Sequence, residues 1–179
     1  MTKLPFDEIS EMAREKVNEE SFDLETDEEI EDEIEDLIIM AYALGWGLFL
    51  DDYDENIPLN QKSLASALQT KIEGKTYKEY LEPYIEEKDI EGIYLVVDTT
   101  IHQMYTMAQN DCAKQCGYKT KTWVTVGDEK VRETHDFLDG VKVGIDEKFY
   151  TIDDDNAPCP GLFALAKNNC NCRCVLHYD

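Results

Sequence analysis

Between Ile90 and Cys116 the apolar residues Ile93, Val97, Ile101, Met104, Tyr105, Ala108 and Cys112 recur at three- and four-residue spacing, and Gly117 follows them. That spacing lays the side chains along one face of a helix about 40 Å long. A glycine just beyond the last turn is the usual left-handed stop. A helix of this length needs partners along its whole buried face, and the chain before it offers them. Phe6, Ile9, Met12, Ala13 and Val17 predict a first helix within residues 5–20. Thr26 followed by Glu29 is a capping-box pattern that starts a second. The second helix carries Ile30, Ile34, Leu37 and Ile38 as a stripe among acids. It then becomes apolar almost all round over residues 39–50, which predicts burial of its second half. Asn60 can cap a third helix with Leu64, Leu68 and Ile72, ended by Gly74, and residues 76–85 predict a short fourth.

After Gly117 the texture switches. Residues 119–126 alternate Thr, Trp and Val as a strand does, and residues 131–138 read as a short helix. Residues 141–152 hold a strand or hairpin, and residues 172–178 a closing strand. The expected fold class is therefore α+β, a helical N-terminal part followed by a small α+β unit. We divide it into an acidic helical region, residues 1–89, and a C-terminal domain, residues 90–179.

The formal net charge is -23, and residues 1–38 hold 16 of the acids against Lys3, Arg14 and Lys16. Nucleic-acid affinity comes largely from Lys and Arg displacing counterions, so direct nucleic-acid binding is disfavoured, except on a local strip such as Lys114, Lys119 and Lys121. Residues 19–36 hold too few apolar side chains to offset about 1–2 kcal/mol of backbone entropy per residue, so this segment is expected to be the least ordered. No run approaches the roughly 18 apolar residues of a membrane span, and the start lacks signal-peptide texture, so no membrane association is expected. In a cytoplasm the six cysteines would be thiols or metal ligands, not a disulfide frame.

The chemistry-bearing residues concentrate in order along the second half. They are Trp123 in its alternating strand, then Asp128, Val131, Arg132 and His135 as Asp-x-x-Val-Arg-x-x-His, then Gly140, Phe149, and Asn171-Cys172-Arg173-Cys174. Together, and behind a long helix, these residues resemble the Mu F-like domain of tailed-phage minor head (head morphogenesis) proteins over about residues 90–178. The long helix departs from the family pattern, with Asp98-Thr99-Thr100-Ile101 where a Thr-Glu pair is common. The resemblance implies a virion component that works in the host cytoplasm during assembly and associates with capsid or portal proteins, in assembly or in DNA delivery.

On a closing strand, Cys170, Cys172 and Cys174 would share one face and Asn171, Arg173 and His177 the other. If that strand docks on the short helix and on the turn bounded by Pro158 and Pro160, then His135, Cys159, Cys172 and Cys174 are zinc ligands of standard type. Free cysteine is also a small buried hydrophobe, and both readings stay open. Asp128 can cap the short helix, and Arg132 can pair with Asp139 or with carbonyls of the terminal strand. His135 can donate to a backbone carbonyl, and Arg173 can reach Asp128 or Asp139 as a bidentate pair. These assignments are structural, and no enzyme activity is expected. The alternatives are a small hydrolase, transferase or toxin-related module using His135 and a C-terminal cysteine, or an acidic interaction protein that mimics nucleic-acid charge.

Overall fold

A computed structural model describes residues 4–17 and 26–179, and four of the helices among them begin at a side chain that caps them. Helix α1 spans Asp7–Lys16, with the Leu4 amide donating to Asp7 Oδ2 at 2.6 Å. Helix α2 spans Asp27–Asp52 and opens on the expected capping box. Thr26 Oγ1 accepts from the Glu29 amide at 3.3 Å, and Glu29 Oε2 from the Thr26 amide at 2.8 Å. Asn60 Oδ1 accepts from the amides of Lys62 and Ser63 to start α3, Gln61–Leu68. A second capping box, Thr76 with Glu79, starts α4, Tyr77–Glu86. Helix α5 covers Ile90–Cys116, with Asp89 as N-cap and Gly117 at φ 86° as its left-handed stop.

Residues 26–36 were expected to be poorly ordered and are instead the cap and first turns of α2, with Ile30 and Ile34 buried. Two apolar side chains on one face suffice because α1 and α5 cover them. Residues 18–25, the rest of that expectation and the end of the expected first helix, lie outside the described residues. The later half of α2 is buried along one face only, through Ala41, Tyr42, Gly45, Trp46 and Phe49, while Met40 is exposed.

Helices α2 and α5 form the main contact, and Gly45 sets its closeness. A Cβ at this position would lie 2.4 Å from the carbonyl oxygen of Tyr105. Tyr42 crosses the same interface to donate to Asp111 Oδ2 at 2.8 Å. Helix α1 lies on α5 with the Phe6 ring 4.9 Å from that of His102 and 5.2 Å from that of Tyr105.

Beyond Gly117, β1 (Thr120–Val124) is the middle strand of an antiparallel sheet of order β2-β1-β5. Here β2 is Lys142–Gly144 and β5 is Val175–Tyr178. The register places Lys121 opposite both Val143 and Tyr178, and Trp123 opposite Leu176. A four-residue helix α6, Glu133–Asp136, lies between β1 and β2. Strands β3 (Phe149–Tyr150) and β4 (Asn156–Ala157) pair separately, and α7, Ala166–Asn169, precedes the terminal loop. The segment 141–152 is therefore no hairpin, since its two strands belong to different sheets. The α+β class is as the sequence indicates. One hydrophobic cluster runs from Phe6 through α2 and α5 to Tyr178, with side chains from both sides of residue 90.

Candidate functional site

The site assembles where β1, α6 and the approach to β5 meet. Trp123, alternating inward on β1, is fully buried, with its ring 5.1 Å from Phe149, 5.6 Å from Phe163 and 5.7 Å from His135. Gly140, at φ 73°, reverses the chain after α6 and donates its amide to Trp123 O at 2.9 Å. That conformation carries little steric cost only without a Cβ. Asp128 accepts from both guanidinium nitrogens of Arg173, at 2.8 and 2.7 Å, so the bidentate pair forms with Asp128. Asp139 instead accepts from the amide and hydroxyl of Thr125. The Arg173 guanidinium holds the Asp128 carboxyl below its usual range, and the carboxylate raises Arg173 in return. Asp128 also accepts from the Lys130 amide at 3.0 Å, so it caps the turn before α6 and not the helix itself.

Arg132 donates to the carbonyl of Cys170, just ahead of the terminal strand. Val131 lines a small cavity beside it.

His135 does not donate to a backbone carbonyl. Its Nδ1 lies 3.6 Å from Cys172 Sγ and 3.6 Å from Cys174 Sγ, and its Nε2 is buried without a hydrogen-bond partner. All three residues are buried, and their ligand atoms lie within 4.8 Å of one another. The two thiols pull each other apart in acidity. The hydrogen bond from Cys174 lowers Cys172, and the same contact raises Cys174. The pair thus holds one negative charge far more readily than two.

The face shared by three cysteines does not exist as expected, because regular pairing starts only at Val175. Asn171, exposed and at φ 54°, turns the chain between Cys170 and Cys172. Asparagine tolerates that left-handed conformation better than most residues. Cys170 consequently lines a separate cleft with Tyr80, Thr99 and Gln103. Cys159 is also buried, but among the described residues it falls outside the His135 group. Its thiol is pushed up to about 12 by burial, with Lys121 and Thr106 among its neighbours. Lys121 belongs to no basic strip. It is fully buried, donates to Asn110 Oδ1 at 3.3 Å, and is lowered to about 8 by desolvation.

Several residues of the site carry no signal in the sequence. His102, next to Ile101 of the α5 stripe, hydrogen-bonds through Nε2 to the carbonyl of Cys174 at 2.9 Å. Asp155 is the hub of the loop beneath. It accepts from the amides of Asn156, Ala164 and Leu165 and from Asn168 Nδ2. Asn169 pairs with both backbone groups of Phe163 at 2.8 Å. Buried Asn and Asp bonded to backbone within a local loop would have suggested such a hub only if the burial were known.

The Phage Mu protein F like family matches residues 61–177, the span that contains every part of this site. The chain belongs to that family. The Mu F-like chain is 33% identical over 87 residues to Minor head protein GP7 of Bacillus phage SPP1, covering 47% of this chain and 28% of that protein. It is 41% identical over 64 residues to the NAD(+)--arginine ADP-ribosyltransferase EFV of Enterococcus faecalis, covering 35% of this chain and 13% of that one. It thus spans well under a third of the length of either relative. No solved structure matches it.

Proposed function

We propose that this Mu F-like chain is a structural minor head protein of a tailed phage, carried in the virion and joined to capsid or portal proteins during assembly or DNA delivery. The family match over residues 61–177 and the similarity to a phage minor head protein support this reading. The observation that carries the structural role is the burial of the cluster that sets a base beside two thiols. His135, Cys172 and Cys174 are each at most 5% exposed, and the cavity against them has room for about one water. Cys172 also lines a larger cleft of about 590 Å³ with Phe6, His102 and Arg132, so the support comes from the burial of the thiols themselves. The ADP-ribosyltransferase relative matches along only 13% of its length, so its named activity is not drawn onto this chain. Among the described residues no helix is long and apolar enough to cross a membrane.

Quantitative mass spectrometry of purified particles tests the proposal. The chain should be found at low, fixed copy number with the portal and capsid proteins and should be retained after nuclease and salt washing. Its absence from mature particles, or salt-labile retention, would favour a soluble acidic interaction protein. Turnover lost on His135→Ala with the fold intact would favour the enzyme reading.

A further inference from the structure

We infer that His135, Cys172 and Cys174 form a binding site for one Zn²⁺, with a water in the fourth position. The geometry of the three ligand atoms carries this. An ion with bonds of about 2.3 Å to sulfur and about 2.0–2.1 Å to nitrogen at tetrahedral angles sets each N···S edge at about 3.6 Å. His135 Nδ1 lies 3.6 Å from each of the two sulfurs. That separation is long for a strong hydrogen bond, and one nitrogen facing two thiols at equal distance is what a shared central ion produces.

Charge agrees with geometry. Two thiolates and a neutral imidazole around Zn²⁺ sum to zero, so the buried site carries no net charge to desolvate. The set is also held from behind. His102 binds the Cys174 carbonyl, Arg132 the Cys170 carbonyl, and the Asp128–Arg173 pair fixes the residue between the two thiols. These contacts fix the backbone at Cys174 and the segment on either side of Cys172. The cavity lined by all three ligands has a volume of about 10 Å³, room for about one water. A metal there joins α6 to the irregular segment before β5, which regular hydrogen bonding does not reach. Mixed nitrogen and thiolate ligation in a tetrahedron favours zinc over calcium or magnesium, which take oxygen.

The test uses the full chain, purified without a histidine tag under reducing conditions and dialysed against buffer with added Zn²⁺. Elemental analysis should find about one zinc per chain. Replacement by Co²⁺ should give a thiolate-to-cobalt charge-transfer band and the visible absorption of a tetrahedral ion. Cys172→Ser, Cys174→Ser and His135→Ala should each lose the metal, while Cys159→Ser and Cys170→Ser should keep it. Because ligand variants could unfold, alkylation of the wild-type chain is the second measure. Bound Zn²⁺ should protect Cys172 and Cys174, and chelation should expose them selectively. The inference is overturned if the reduced wild-type chain folds without taking up zinc. It also fails if Cys172 and Cys174 are recovered as a disulfide, or if the metal survives Cys172→Ser and follows Cys159→Ser.

Discussion

At the scale of single residues, Trp123 and Lys121 lie two positions apart on β1 and face the same side, yet only one could be read in advance. A tryptophan in an alternating Thr/Val strand is expected in the core, and its contacts with Phe149, Phe163 and His135 place it there. Trp123→Ala should destabilise by about 3–5 kcal/mol in chemical denaturation, the usual cost of emptying such a site. Lys121 has the same parity, which implied burial, but lysine on a short strand is ordinarily solvated, and sequence offers no sign that Asn110 waits on α5. Its burial has a signed pH consequence. The folded pKa of about 8 lies below the unfolded value of about 10.4. Below pH 8 both states are charged and the folded state carries the full desolvation cost. Between about pH 8 and 10 the folded chain has released the proton that the unfolded chain keeps, so stability rises with pH there. Relative to Lys121→Met, the wild type should gain on the order of 3 kcal/mol across that window. Paired urea titrations at pH 7.5 and 10 would check it, and a constant difference would mean that the lysine stays charged. The cysteines follow the same division. That Cys172, Cys174 and His135 come together was legible in the sequence, whereas Cys159 was added on the expectation that the closing strand docks on its Pro-bounded turn, and it falls outside the group among the described residues. A place in a turn does not say which side chains the thiol packs against, and Cys159 lies beside Lys121 and Thr106.

Helices were more legible than strands because their signals are local. Two of the starts, at Thr26 and Asn60, and the stop at Gly117 were written in capping residues that act within a few positions. The two short strands within 141–152 misled because strand texture does not name its partner, and β2 and β3 join different sheets. The terminal strand, expected over 172–178, starts only at Val175 because β1 ends at its partner Val124 and leaves Cys172, Arg173 and Cys174 no strand to pair with. How closely two helices approach also escapes periodicity. Gly45 looks like a weak point in an apolar run, but it is where α2 rests against the Tyr105 carbonyl of α5. Gly45→Ala improves helix propensity by about 1 kcal/mol. It must nevertheless force the two helices apart, an overpacking cost of about 1–3 kcal/mol. We expect net destabilisation in thermal melts, whereas Gly47→Ala, with open space around its Cβ, should be neutral or stabilising.

Across the whole molecule, the last dozen residues complete a core that begins at Phe6. Truncation after Lys167 removes Cys172, Cys174, Leu176 and Tyr178 from that core and exposes both Trp123 and Phe49, on whose ring Tyr178 packs. The shortened chain should keep much of its far-ultraviolet circular dichroism but lose cooperative unfolding and bind hydrophobic dyes. A sharp transition in the truncated chain would show that β5 decorates an already finished fold. The β1–β5 ladder pairs Val124 with Val175 across about fifty intervening residues, a loop whose closure entropy must be met before any contact rewards it. Helix α5, by contrast, forms from neighbours in sequence. Folding should therefore proceed from the helices outward, with the ladder absent from the transition state. Substitutions at Arg173 should then speed unfolding and leave the refolding rate nearly unchanged, while those at Ile101 or Trp46 slow refolding. The terminal strand thereby sets how long the native state lasts and hardly affects how fast it is reached.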